Sequence, residues 1–450
     1  MTTTAEPPVD STGELRGRGG RVAAGLGVPR HGAPRHRAPQ RGARGTLPLP
    51  ARADVVVVGG GVMGASVAFH LAEDGADVLL VEAGELAGGS SGKPIGGVRA
   101  QFSQAANVAL GHRSLELFED FRRRPGADIG LRQPGYLFVL PTDDDVELFA
   151  ASAAMQRGLG VDARLLTLAE ARGLNPYLAA EGYAGAAYAP RDGWAHPGAV
   201  VAGYADGAER HGARVRTRAA VTGIEPDAEP GGPGGTDGLV VTTSRGRVRA
   251  RTVVLCAGAW SRPLGAMAGL DLPVDPVRRQ IAFTTRLERP AGVPAAGLPF
   301  TIDFGTTFYL HDGREPGELL LGMSEPGTPV GFDTAYDPAW EPTLRAAAAR
   351  CTPAIAAAPL TGGWAGLYEM TPDHDALIGE ATAPSGRVLY ACGFSGHGFL
   401  QAPAVGEAVR DLYAGRAGPA SAAVDVSAFT ADRFAVVGAG GEGHAEANII

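Results

Sequence analysis

The sequence predicts an α/β fold carrying a second, α+β lobe, and three stretches make that prediction. Residues 54–84, DVVVVGGGVMGASVAFHLAEDGADVLLVEAG, run from an apolar strand through a glycine turn and a helical stretch to a second strand. Residues 252–260, TVVLCAGAW, are another apolar run closing on a glycine. Residues 387–415 repeat the order, a strand meeting Gly393, Gly396 and Gly398 before a helical period begins. Strands that end on glycine turns and alternate with helices form parallel sheets with ligands at their tips.

The chain of 450 residues has 45% hydrophobic and 20% charged residues, a globular composition that excludes fibrous and wholly disordered classes. Its net charge is −8, and no basic stripe interleaves with aromatics in the body, so a nucleic-acid partner is not expected. Cys256, Cys351 and Cys392 stand far apart, which argues against disulfides or structural zinc and fits a cytoplasmic location. No apolar run reaches the roughly 18 residues of a membrane span.

Residues 1–51 are expected to be a disordered Arg-, Gly- and Pro-rich tail: eight Arg face three acids in the first fifty residues, without periodicity. In the next element Val67 and Leu71 share a helix face and Gly75 stops the helix. Gly59, Gly61 and Gly64 fill the G-x-G-x-x-G positions, where glycines allow a tight turn, approach of a pyrophosphate to helix-start N–H groups, and close helix-to-strand packing. Glu82 ends the second strand where a carboxylate can accept from ribose hydroxyls. Gly438, Gly440 and Gly443 repeat the spacing, but only seven residues follow, too few for a helix and a returning strand.

Residues 85–103, ELAGGSSGKPIGGVRAQFS, read as a flexible glycine and serine loop, and 225–238 as the tip of a hairpin. PVRRQIAFTT (276–285), TIDFGTTFYL (301–310) and GELLLGM (317–323) read as strands. Near the C-terminus Pro403 fits only an early helical turn, so that helix starts just after its glycines, with its positive dipole end toward the strand tips.

Together, GGGVMG, SSGKPIGGVRAQFS, the stretch from His196 to Ala205, CAGAW, GLYEMTPDHDALIGE and CGFSGHGF resemble the FAD-dependent oxidoreductases of the D-amino-acid oxidase superfamily, most closely the sarcosine oxidase β-subunit and glycine oxidase branch. The resemblance runs over roughly residues 53–433. It implies a Rossmann-type FAD-binding domain built from discontinuous segments (52–135, 185–265 and 365–433), an inserted antiparallel-sheet substrate domain (136–184 and 266–364), and a flexible tail at 434–450. It also implies oxidation of the C–N bond of an amino acid or N-alkyl amino acid by hydride transfer to the flavin. Cofactor contacts are expected at Gly59, Gly61, Val62, Met63 and Gly64; at Glu82 and Ala83; at Gly89, Ser90, Ser91, Gly96 and Gly97; and at Val221, Ala257, Gly258 and Trp260. The last set is Gly393, Phe394, Ser395, Gly396, His397, Gly398 and Phe399.

Two positions depart from the family. Monomeric sarcosine oxidases attach the flavin to a cysteine where this chain has Gly366, so non-covalent FAD is expected. They also carry a lysine after the G-F-S-G-H-G-F run where this chain has Leu400, leaving oxygen or another electron acceptor open. Lys93, the single lysine, is a candidate to supply the missing charge. Arg99 is read either as a bidentate clamp on a substrate carboxylate or as a structural or flavin ion pair. His397 is read as a flavin contact through its backbone N–H, with its imidazole as acid/base or packing. Tyr368, Tyr309 and Gln280 are cavity liners or sheet packing, and the Asp373, His374, Asp375 run is a charged turn, with no metal expected. Two rival readings are a 2-hydroxy acid dehydrogenase on the same FAD fold and an electron-transferring flavoprotein subunit of a hetero-oligomer.

Overall fold

The structure, a computed structural model, describes residues 44–227, 238–313, 315–383, 386–416, 424–436 and Glu446. Two eight-stranded sheets organise them. In the first, Arg52–Val58 lies parallel to Val78–Val81 on one side and to Gly246–Leu255 on the other. Gly386–Cys392 continues the parallel order beyond Gly246–Leu255, and Arg214–Arg216 beyond Val78–Val81. The C-terminal halves of three central strands, residues 55–58, 252–255 and 388–392, and the whole of Val78–Val81 are buried on both faces, as apolar runs without alternation require, whereas the first half of Gly246–Leu255 alternates exposed and buried.

The helix Val62–Glu73 is buried from Val62 to Ala72, because it lies under the sheet and between the helices Pro197–Arg210 and Gly398–Tyr413. Its glycine neighbour Gly406 lets the last helix approach: a Cβ there would overlap the Ser66 hydroxyl. Pro403 stands in the second turn of that last helix rather than the first. The lost regularity is made good by serines, since Ser66 Oγ donates to the Ala402 carbonyl at 2.8 Å and Ala404 N donates to Ser114 Oγ at 3.1 Å.

The second sheet has the order Leu360–Met370, Asp275–Thr284, Leu319–Met323, Tyr309–Asp312, Phe300–Asp303, Tyr136–Leu140, Gly185–Ala189, Arg164–Leu166. All its pairs are antiparallel except Phe300–Asp303 with Tyr136–Leu140. It is inserted between segments of the first sheet, so the architecture is a discontinuous Rossmann-like core with an inserted, largely antiparallel lobe.

Several details differ from the sequence expectation. Gly185–Ala189, expected with the first sheet, pairs with Tyr136–Leu140 in the second. Leu360–Met370, expected to be divided near residue 365, belongs wholly to the second sheet along its length. The run at 301–310 is not one strand but two. Asp303 accepts from Gly305 N and Thr306 Oγ, and Thr307 takes φ 59°, which folds the chain back. Residues 44–51, expected in the loose tail, are fastened to the body: Arg44 bonds Asp206 and Glu209 at 2.6 Å each. Glu446, expected in the flexible C-terminal tail, is buried and accepts from Ser103 N at 2.8 Å and Asn107 Nδ2 at 3.0 Å. The strands Val221–Pro226 and Leu239–Thr243 do pair as a hairpin. Most of its glycine-rich tip, and the repeat at Gly438, Gly440 and Gly443, lie outside the described residues.

Candidate active site

The strand tips of the first sheet and one face of the second enclose a cavity of about 950 Å³. Its first end is the turn after Arg52–Val58. Gly59 has φ +112°, and a Cβ on it would overlap the Cys256 carbonyl, so this turn exists only with glycine. A Cβ on Gly64 would overlap the Gly59 carbonyl, which makes Gly64 the point where helix meets strand; it does not line the cavity. Gly61 caps the helix Val62–Glu73 without a side-chain partner. Ser91 Oγ accepts from Val62 N at 2.9 Å, tying the 85–103 loop to the helix start.

Glu82 sits at the same end, accepting from Gly60 N at 2.6 Å and Gly84 N at 2.7 Å. Ala83, Gly89, Ser90, Gly96, Gly97, Val221 and Ala257 line the walls with Val62 and Met63. Gly258 and Trp260 stand at the lip, the indole stacking on Phe332 with ring centroids 5.4 Å apart.

The turn at 393–398 closes on the same cavity from the other side. Gly396, His397, Gly398 and Phe399 line it, whereas Gly393, Phe394 and Ser395 lie behind as the turn's framework. That framework hangs on Glu369, a residue the sequence pattern did not single out. Its carboxylate accepts from Gly393 N at 3.1 Å, and its carbonyl accepts from Ser395 N at 3.0 Å. Burial pushes the Glu369 carboxyl up to about 7, against the pull of the Gly393 and Phe394 amides.

The expected flavin contact through the His397 N–H is corrected, because that group already donates to the Phe394 carbonyl at 2.8 Å. The first-turn donors of the helix, without a backbone partner among the described residues, belong instead to Gly398, Phe399 and Leu400. The His397 ring stands edge-on to Phe102, centroids 5.1 Å apart. Burial, reinforced by Arg99 and His374, holds it far below the ordinary histidine range and hence neutral.

Arg99 is the largest fully buried side chain. Its guanidinium lies 4.5 Å from the Phe102 ring centroid and 5.4 Å from that of Phe138, and donates to the Gln101 carbonyl at 2.7 Å. Behind it Asp192 accepts from Ala100 N at 3.2 Å and Gln101 Nε2 at 3.3 Å. Arg99 thus forms the floor of the cavity. Lys93 is on its wall, and a Cβ on Gly366 would come within 2.7 Å of the Lys93 Cβ.

The second sheet supplies the far wall. Arg279, Ile281, Tyr309 and Tyr368 line the cavity, while Gln280 points to the opposite face and accepts from Asp337 N. Arg279 escaped the sequence reading because nothing in PVRRQ tells which arginine faces inward; the alternation becomes readable only once the strand register is known. The Asp373, His374, Asp375 run is a turn paired to Arg433, and no metal-binding cluster is found among the described residues.

An adenine dinucleotide carrying a tricyclic ring fits these features. The cavity joins a helix-start turn to a broad apolar chamber, Gly59 and Gly61 bring bare backbone to its wall, and Ser90 Oγ and His397 Nε2 are buried without partners among the described residues. The model of FAD dependent oxidoreductases matches residues 54–412, across both sheets and all three glycine turns. The chain belongs to the FAD-dependent oxidoreductase family. Among relatives, glycine oxidase of Geobacillus kaustophilus (strain HTA426) is 32% identical over 369 residues, covering 80% of this oxidoreductase and 93% of that protein. 4-Methylaminobutanoate oxidase (formaldehyde-forming) of Paenarthrobacter nicotinovorans is 31% identical over 400 residues, 85% of this chain but 46% of that longer one. The fold is shared with L-proline dehydrogenase from P. horikoshii at a TM-score of 0.77 and 29% identity, covering 86% of this chain and 99% of that one. Among the described residues of the oxidoreductase, no helix is long and apolar enough to cross a membrane.

Proposed function

We propose that this oxidoreductase binds FAD non-covalently and oxidises the C–N bond of a small amino acid or N-alkyl amino acid. One observation carries the reading: the glycine turns at 59–64, 256–258 and 393–398, far apart in sequence, meet on a single cavity whose far wall is aromatic and cationic. The relatives named for glycine, 4-methylaminobutanoate and L-proline support the same class of bond. Gly366, without a nucleophile, supports a cofactor held by contacts alone.

Bound FAD supplies a hydride acceptor. The protein's part is placement. Gly59, Gly61 and the first-turn N–H of Met63 receive the pyrophosphate, the Val62 N–H being held by Ser91 Oγ, and Glu82 the ribose. Gly398, Phe399 and Leu400 present helix-start N–H groups to the edge of the ring system that gains negative charge on reduction. Tyr309 and Tyr368 close the substrate chamber, where burial holds both hydroxyls in the neutral form, Tyr309 far above the ordinary tyrosine range. His397, neutral beside the chamber, adds no positive charge to it. Electrons leave to oxygen or another acceptor, and the buried thiols of Cys256, Cys351 and Cys392 support a reducing, cytoplasmic setting.

The test is spectral. Purified protein is expected to be yellow, to release its flavin into the supernatant on acid precipitation, and to bleach anaerobically with at least one of sarcosine, glycine, proline or an N-methyl amino dicarboxylate. Colour retained by the precipitate would refute the non-covalent attachment. Bleaching only by 2-hydroxyglutarate would move the reaction to the C–O bond.

A further inference from the structure

The cavity holds more positive charge than one amino-acid carboxylate neutralises. Its acidic groups are all engaged elsewhere: Glu82 with Gly60 and Gly84, Glu85 with Arg218 at 2.8 Å, Glu369 with Gly393. Arg99 is sunk in the floor, with Asp192 close behind it. Two cations on the wall remain, Lys93 and Arg279, and neither forms an ion pair among the described residues.

Strand register brings these two together. Arg279 on Asp275–Thr284 pairs directly with Gly366 on Leu360–Met370, so the Arg279 side chain and the vacant side of Gly366 share one sheet face. Lys93 packs onto that vacant side, its Cβ 2.7 Å from where a Gly366 Cβ would stand. Trp364 fixes it there by donating from Nε1 to the Lys93 carbonyl at 2.6 Å. Arg279 is held by Nη1 donating to the Arg278 carbonyl at 3.0 Å and by the Tyr368 ring 5.4 Å away, while its buried Nε has no partner among the described residues.

Two like charges, one on the strand Asp275–Thr284 and one on the loop packed against Gly366, repel, and a desolvated guanidinium N–H without an acceptor costs free energy, so both features favour an anion between them. A zwitterionic monocarboxylate offers one carboxylate, enough for one cation. We propose that Lys93 and Arg279 form a second anion subsite, and that the substrate is an amino or N-alkyl amino acid carrying two carboxylates. This deepens the preceding reading of the cavity and rests on it. Gly366 is then required for more than the absence of a flavin link, because any side chain there would displace Lys93 from Arg279.

Inert ligands test the subsite without turnover. Affinities of the FAD-loaded enzyme for succinate and butyrate, and for glutarate and valerate, are measured by calorimetry and by perturbation of the flavin spectrum. The dicarboxylate is expected to bind about tenfold or more tightly than its monocarboxylate counterpart. Lys93→Met and Arg279→Met should each collapse that ratio toward unity, whereas Lys93→Arg and Arg279→Lys should retain most of it; flavin content and Tm report whether each variant is folded. A wild-type ratio near unity overturns the proposal. So does a ratio that survives both methionine substitutions, or a pair of variants that lose flavin while keeping the ratio, which would assign the cations to the cofactor. None of these readouts depends on amine oxidation, so the subsite and the proposed reaction fail separately.

Discussion

Asp192 bears more on the cavity than its distance in sequence suggests. It is fully buried behind the floor and accepts from Ala100 N and Gln101 Nε2, so it fixes the short segment that aims Arg99. Burial raises its carboxyl to about 7, and the bonds to Gln101 and Ala100 and the charge of Arg99 only partly offset that rise. A carboxyl whose folded value lies above its unfolded one contributes stability that is fully present below about pH 4 and lost as pH rises through 7. Ionising Asp192 therefore costs the fold at most about 4 kcal/mol across that window. Asp192→Asn removes this titration, so its Tm should fall less than the wild-type Tm between pH 4 and pH 7. Parallel Tm profiles for the two proteins would show that Asp192 titrates as an ordinary carboxylate.

At the scale of an element, the turn at 59–64 separates two effects that glycine combines. Gly59 and Gly75 both have positive φ, +112° and +92°, but a Cβ on Gly59 would overlap the Cys256 carbonyl while nothing lies within 4 Å of one on Gly75. Gly75→Ala should thus cost only the backbone strain of about 1 kcal/mol and leave flavin content unchanged. Gly59→Ala must push Arg52–Val58 away from Gly246–Leu255 at the cavity mouth, and should be isolated with little or no FAD. Equal flavin content in the two variants, read as the ratio of visible to ultraviolet absorbance, would show that the Gly59 contact does not shape the site. This turn was legible in the sequence because strand, glycines, helix and acid follow one another within thirty residues. Glu369 and Arg279 were not, because each acts on a partner that only strand pairing brings near: Glu369 on the 393–395 turn, Arg279 on Gly366 and Lys93. The strand Gly185–Ala189 was misplaced for the same reason, its short apolar run fitting either sheet until Tyr136–Leu140 is seen beside it.

For the molecule as a whole, residues of both sheets line the one cavity, so what holds the first sheet's rim also bears on the site. The segment at 44–51 is one such brace, although its composition continues that of the Arg-, Gly- and Pro-rich sequence before it. Arg44 is 12% exposed and bridges Asp206 and Glu209 on the helix Pro197–Arg210. From the same short stretch, the Arg44 carbonyl accepts from Thr217 N and Leu49 packs against the first sheet's outer cluster. The helix that Arg44 braces packs on Val62–Glu73, the helix whose first turn opens onto the cavity. Arg44→Ala leaves two neighbouring carboxylates without their shared cation. Because both acids keep partial access to water, the loss should be about 1–2 kcal/mol, between the values of an exposed and a buried pair. Calorimetry should record a Tm a few degrees lower, and added FAD should restore part of the difference, since a ligand that binds only the folded state stabilises it. An unchanged Tm would mean that residues 44–51 lie on the body without bracing it, and that the rim of the first sheet is held by the helices alone.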